Sequence, residues 1–320
     1  MRARPQCLRA SSRGTGTATP HCVTAPRQIL PHATYLVTRR CAQRQFLLRP
    51  SESTNAIVLY VLAVAARRYG ILIHAFCALS NHIHLVVTDP GSRLPAFQQY
   101  VDALVARAVN ASLGRWESFW APSSYSAVRL VSPADVLDKT AYVLANPVAA
   151  GLVRTASEWP GLWSDPSMLG SGKIVVRRPK HFFSANGSMP ESVELALVAP
   201  PGFDSADQFR EQLVDALTAR EREAVQAHEV KGLGFMGPRK VLAQRPSGRP
   251  APGEPRRALN PRIASRDKWR RIEALGRLLE FLRDYRVALR AWKDGMRAAV
   301  FPAGTYGMRI GHDVVCAAAP

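Results

Sequence analysis

Apolar positions in this chain follow two periods, and the order of those periods predicts the elements. A first strand is expected at Thr34-Tyr35-Leu36-Val37-Thr38, running straight into Arg39, Arg40 and Arg44. Ser51 or Ser53 then caps a helix from about Glu52 to Tyr69, with Ile57, Tyr60, Val61, Val64 and Ala65 as its stripe and Gly70 at its end. Ile71 to Ala78 reads as a buried strand, Leu79-Ser80-Asn81 as a turn, and His82 to Thr88 as the returning strand of a hairpin. Asp89-Pro90-Gly91 breaks that strand, and a second helix is expected from about Leu94 to Leu113. A strand at about Tyr125 to Val131 precedes a helix over Ala134 to Ala145. Ser132 is that helix's natural N-cap, Pro133 suits its first turn, and it stops before Asn146-Pro147.

The resulting β-α-β-β-α-β-α order predicts an α+β fold: a ferredoxin-like antiparallel sheet with helices packed on it. Composition divides the rest. Residues 1–31 are poor in aliphatics and read as a disordered basic arm, and residues 32–165 as the sheet-and-helix domain. Residues 166–261 read as an irregular linker region with a short basic strand at Lys173 to Arg178 and one helix at about 204–229, and residues 262–320 as a basic helical segment. In that last segment Trp269, Ile272, Leu275, Leu279, Leu282, Leu289 and Trp292 recur at helical spacing between Ser265 and Ala299. No internal repeat is visible.

Charge narrows the partners. The 320 residues hold 43 Lys and Arg against 24 Asp and Glu, a formal net charge of +19. A surplus of that size draws a protein to polyanions, nucleic acid first among them. No apolar run is long enough for a membrane span, so no membrane partner is expected. Residues 1–51 contain no acid, as in an organellar transit peptide, but the regular apolar stripe of such a peptide is missing. The five cysteines are scattered without a CxxC pair, which fits a reducing compartment rather than a disulfide framework.

Chemistry concentrates in two places. On a strand, His82 and His84 share one face while Ile83, Leu85 and Val87 share the other, so two imidazoles stand ready as half of a divalent metal site. On the helix that ends before Asn146, the residues Asp135, Asp138, Lys139, Tyr142 and Asn146 share a face, and Val136, Leu137, Val143 and Leu144 lie largely on another. Tyr142 is therefore expected to be displayed rather than packed. His74, alternating onto the face of Leu72 and Phe76, reads as a core histidine, and Cys77 as packing.

The segment Ser80-Asn81-His82-Ile83-His84-Leu85-Val86 resembles the HUH signature of single-tyrosine transposases, where U is a hydrophobic residue. The segment from Tyr142 through Asn146-Pro147 to Val153 resembles their tyrosine helix and the turn after it. The nearest branches are the REP-associated tyrosine transposases and the transposases of small insertion sequences, and the likeness covers residues 32–165. It implies that His82 and His84 bind Mg²⁺ or Mn²⁺, with Asn146 in the place of the third ligand, and that Tyr142 is the nucleophile. It also implies cleavage and rejoining of single-stranded DNA beside hairpins through a 5′-phosphotyrosine. The expected setting is the bacterial cytoplasm, associated with the nucleoid, with homodimer formation left open by the family.

DNA contacts are expected from Arg39, Arg40 and Arg44 beside the first strand, and from the C-terminal arginines, Arg270 and Arg271 among them. Bland alternatives accompany each residue. The histidines could be a solvated strand face, Tyr142 a packing residue, Asn146 a mere helix stop, and the arginine-rich helix a solvated one. The rival function is a structured-DNA-binding protein descended from a transposase that no longer cuts.

Overall fold

The computed structural model describes residues 26–122, 125–180, 182–251 and 261–319. Most of the expected basic arm, with Cys7 and Cys22, lies outside the described residues. Its described end is not loose: Ile29 is buried, its amide donates to Gly304 O at 2.9 Å, and Gln28 bridges Thr305. Ile29 and Leu30 find apolar cover from the far end of the chain, a contact that no local pattern announces.

Five strands form the main sheet in the order β2-β3-β1-β4-β7. They are β1 (Ala33–Arg40), β2 (Leu72–Leu79), β3 (His82–Asp89), β4 (Ser126–Leu130) and β7 (Ile263–Ala264). All pairings are antiparallel except the parallel pairing of β4 with the short β7. A second sheet is the hairpin of β5 (Lys173–Arg177) and β6 (Ser192–Ala196).

Helix α1 (Glu52–Tyr69) starts where the Ser51 side chain accepts from Thr54 N, and it ends at Gly70, whose φ of 67° is the left-handed turn that glycine takes without strain. Helix α2 (Leu94–Ser112) is tied to β3 by the Asp89 carboxylate, which accepts from Arg93 N at 2.9 Å and Leu94 N at 2.7 Å. Helix α3 (Pro133–Leu144) opens with a capping box of Ser132 and Asp135. After Ala145 the chain turns into the short α4 (Asn146–Ala149), with Pro147 in its first turn.

The faces follow from register. Arg39 lies opposite Ile83 and pairs with Asp102 of α2, so α2, with α1 packed on it, covers the Ile83 face. Thr38 and Cys77 lie opposite His84, and α3 packs against β2 and β3 on that face.

Residues 166–261 carry more than one helix. Besides α5 (Ala206–Val230) they form the β5–β6 hairpin and α6 (Pro238–Leu242), and Val176, Val193, Leu195, Leu197 and Val241 are buried in the same apolar cluster as the main sheet. The outer edge of β2 is covered by backbone on both sides of residue 166. Ala78 N donates to Leu162 O at 2.8 Å, Ser164 N to Phe76 O at 3.0 Å and Val198 N to Ile73 O at 3.2 Å. The short basic strand expected at Lys173 to Arg178 is β5, whereas its five-residue partner β6, reached across a long turn, alternates too briefly for sequence pattern to register.

Helix α7 (Lys268–Lys293) and α8 (Gly307–His312) follow β7. A small cluster of Ala288, Phe301, Met308 and Val314 closes this end. The apolar stripe expected to bury α7 does so only in part: Ala274, Phe281 and Ala288 are buried, while Trp269, Ile272, Leu275 and Leu279 are exposed. Among the described residues, no helix is long and apolar enough to cross a membrane.

Candidate active site

The hairpin and α3 bring the two chemical segments together. His84 is buried against α3, and its Nε2 lies 3.4 Å from Asn146 Nδ2. The His82 and His84 rings stand edge to face with centroids 4.7 Å apart. Tyr142 reaches over from α3 with its ring 5.7 Å from that of His84, at an interplanar angle of 76°. Tyr142 is 37% exposed, whereas Ala141 and Val143 on either side of it are fully buried. The displayed tyrosine expected from helical period is therefore what the packing delivers.

Both histidines commit Nδ1 to a neighbour, and among the described residues the long approach of Asn146 to His84 is the only hydrogen-bond contact of either Nε2. His84 Nδ1 is 2.8 Å from Thr38 Oγ1 on the neighbouring strand, and His82 Nδ1 is 2.6 Å from the Oδ1 of Asn81. An amide oxygen only accepts, so His82 carries its proton on Nδ1 and its lone pair on Nε2. With the Thr38 hydroxyl accepting likewise, His84 presents Nε2 in the same state. Burial first, and then the charges of Arg40 and Arg44, hold His82 down to about 4. His84 sits well below the ordinary imidazole range for the same first reason, with His82 and Arg40 adding to it. Near neutral pH both rings are thus uncharged and able to act as ligands.

The donor set fits a divalent cation. His84 Nε2 lies beside the Asn146 amide with the His82 ring centroid 4.7 Å from its own, and turning that amide over exchanges Nδ2 for Oδ1, a hard oxygen ligand. Among the described residues, no group of three or more His, Cys, Asp or Glu is disposed to hold a metal. The set therefore brings no negative charge, and a bound cation would keep its full charge for an anionic substrate.

The arginines expected at this site divide. Arg40 pairs with His82 in register and is exposed, and the Arg44 carbonyl accepts from Asn81 Nδ2 at 3.3 Å, so both flank the histidines. Arg39 does not. Strand alternation turns it to the opposite face, where it meets Asp102 at 3.1 Å and lies over Trp120. Burial pushes the Asp102 carboxyl up to about 6 even so, against the pull of Arg39. Arg270 and Arg271 occupy the exposed first turn of α7, with Arg271 reaching back to Ser265 O at 3.4 Å.

Two groups at the site carry no sequence signal of their own. Thr38 shows its role only through the cross-strand register with His84. Arg220 arrives from α5, 82 positions along the chain from its partner Asp138. A polar residue at the same strand parity as Arg40 was the one available hint for Thr38.

No family model matches this chain, and no curated protein matches it. Among solved structures it is similar to a REP-associated tyrosine transposase bound to a REP hairpin, at 19% identity and a TM-score of 0.36, over 42% of this chain and 78% of that one. It is also similar to a candidate transposase from Deinococcus radiodurans R1, at 17% identity and a TM-score of 0.26, over 30% of this chain and 76% of that one. The likeness to transposase structures is distant and partial, and the reading of the site rests on its own geometry.

Proposed function

We propose that this chain is a metal-assisted single-tyrosine nuclease and strand transferase of the HUH type, acting on single-stranded DNA beside hairpins. The observation that carries this reading is the convergence of His82, His84, Asn146 and Tyr142 from two separate elements onto one sheet face, with His84 in contact with both of the α3-side residues. The chain order β-α-β-β-α-β and the sheet order β2-β3-β1-β4 support the ferredoxin-like form of the fold. The surplus of cations supports a polyanionic substrate.

The chemistry runs on Tyr142. Its phenolic oxygen attacks the scissile phosphorus, the bond from phosphorus to the 3′-oxygen breaks, and the phenolic proton passes to solvent. The departing oxygen takes up a proton and leaves as a 3′-hydroxyl, while the 5′-phosphate stays on Tyr142. Attack by another 3′-hydroxyl reverses the step and rejoins DNA without a nucleotide cofactor. Mg²⁺ or Mn²⁺ held by His82, His84 and Asn146 supplies stabilisation of charge on the non-bridging oxygens. His84 holds Tyr142 edge-on, and Thr38 and Asn81 hold the imidazoles in the ligand tautomer.

Incubating the protein with a labelled single-stranded hairpin oligonucleotide and Mn²⁺ should give a denaturant-resistant adduct that Tyr142→Phe does not form. Salt-sensitive hairpin binding with no adduct at any metal concentration would favour a protein that recognises structured DNA without cutting it.

A further inference from the structure

The exposed flank of α3 beside Tyr142 gathers cations from three parts of the chain onto one acid. Asp138 Oδ2 lies 3.0 Å from Lys139 Nζ, and Oδ1 lies 2.5 Å from Arg220 Nη2 of α5 and 3.6 Å from Arg266 Nη1, just after β7. The carboxyl is itself mostly covered, at 11% exposure, whereas Lys139, Arg220 and Arg266 keep 31%, 30% and 76% of their side chains open. Hydrogen bonds from Lys139 and Arg220 outweigh burial and hold the Asp138 carboxyl below the usual carboxylate range. The other acid on this helix, Asp135, spends its oxygens on the Ser132 cap and on Arg266 N. Three cations to one carboxylate is not a balanced structural pair. The excess charge is left facing solvent, and Lys139 Nζ is 5.8 Å from the Tyr142 ring centroid.

We infer that Lys139, Arg220 and Arg266, held in place by Asp138, form a phosphate-binding rim that grips the DNA backbone on the α3 side of Tyr142. This rests on the reading of the site as one for single-stranded DNA, and it names the surface that takes the strand. Arg40 and Arg44 form the other rim, on the β1 side of the histidines, so a strand crossing Tyr142 meets cations on both flanks. The α3-side rim depends on α5 and on the segment entering α7. Residues beyond 165 thus become part of the binding surface.

The test is salt-dependent binding of a fluorescent single-stranded oligonucleotide carrying a hairpin, with KCl raised from about 50 to about 200 mM, in a Tyr142→Phe background so that covalent chemistry does not enter. Each lost phosphate contact lowers the slope of log affinity against log salt by about 0.7 for a single strand. Lys139→Gln and Arg266→Gln, both at open positions, should each show that drop. Lys173→Gln removes the same charge from the distant β5–β6 hairpin, where Lys173 pairs with Glu194, and should leave the slope unchanged. Arg220→Lys keeps charge and should keep the slope, and Asp138→Asn should leave it equal or steeper. Parental slopes in folded Lys139→Gln and Arg266→Gln, or an equal drop in Lys173→Gln, would overturn the inference. Because cleavage is not read, this outcome is separate from the fate of the adduct.

Discussion

His74 and the pair His82 and His84 sit on the two strands of one hairpin, and His74 and His84 are alike in burial while His82 is half-buried. Desolvation pushes His74 down to about 4, as it does His82. Their ring nitrogens tell them apart. His74 Nδ1 donates to Val198 O at 2.7 Å, and Nε2 lies 2.7 Å from Thr88 Oγ1, which is in turn 2.7 Å from Thr34 Oγ1. Every polar atom of that ring is used to fix the bulge in β2 and the segment that covers its edge. His82 and His84 use Nδ1 in this way, while His84 Nε2 meets the Asn146 amide at 3.4 Å and His82 Nε2 has no hydrogen-bond partner among the described residues. Low basicity and burial are therefore shared by a structural and a chemical histidine. An open ring nitrogen beside further donors is what separates them.

Substitution should break the symmetry most sharply at the pair itself. His84→Ala and His82→Ala are expected to lower the adduct-forming rate by about 100-fold or more while hairpin binding persists, as loss of a metal ligand should. Their melting temperatures should no longer rise with added Mn²⁺, whereas the wild-type value rises by linkage. His74→Ala should do the reverse. It removes two buried hydrogen bonds and leaves Val198 O without a donor, a cost on the order of 3 kcal/mol, or roughly 6–10 °C in melting temperature. Its response to Mn²⁺ should survive, and loss of that response would erase the distinction.

Thr38→Val probes the committed nitrogen. Removing the hydroxyl beside His84 Nδ1 should weaken Mn²⁺ binding by about 10–100-fold, measured by titration calorimetry, with little change in fold. Unchanged affinity would mean that the tautomer is fixed by something else.

The pH dependence of stability gives a smaller effect. The folded state keeps His74 neutral down to about 4, while the unfolded chain protonates it near 6.5. The stabilisation is complete above 6.5, falls as pH drops through that value, and levels off below 4. The span corresponds to on the order of 3 kcal/mol at most for this group. His74→Gln should make the acid limb shallower by about one proton in urea titrations between those pH values, and an unchanged limb would contradict the assignment.

Smallest of all should be the effect of Arg39→Gln on DNA affinity. Arg39 faces Asp102 rather than the site, so its loss should register in stability and hardly in the salt dependence of binding.

Much of this contrast was legible before any coordinates. Alternation put His82 and His84 on one face, helical period displayed Tyr142, and the Ser132 cap and Asn146-Pro147 bounded α3 to within a residue at each end. Parity also separates Arg39 from Arg40, but it does not say which of them shares a face with histidines on another strand. That requires register, and register is a long-range property. The same holds for Thr38, for the Val198 carbonyl that completes His74, and for Arg220 and Arg266 on Asp138. Each partner lies on a different element, so no local pattern encodes the pairing. Within residues 166–261 the strand at Lys173 to Arg178 is legible as β5, but β6 offers only two or three inward positions and its cover comes from α1, so the hairpin is not.

The central claim is that Tyr142 is the nucleophile, and mass spectrometry of the covalent product tests it most directly. Digestion of the adduct with trypsin releases the peptide from Thr140 to Arg154, in which Tyr142 is the sole tyrosine. The account predicts that this peptide carries a nucleotide joined through its 5′-phosphate, and that the released strand ends in a 3′-hydroxyl. A nucleotide on any other peptide, or cleavage of the hairpin with no nucleotide bound to protein, would contradict it.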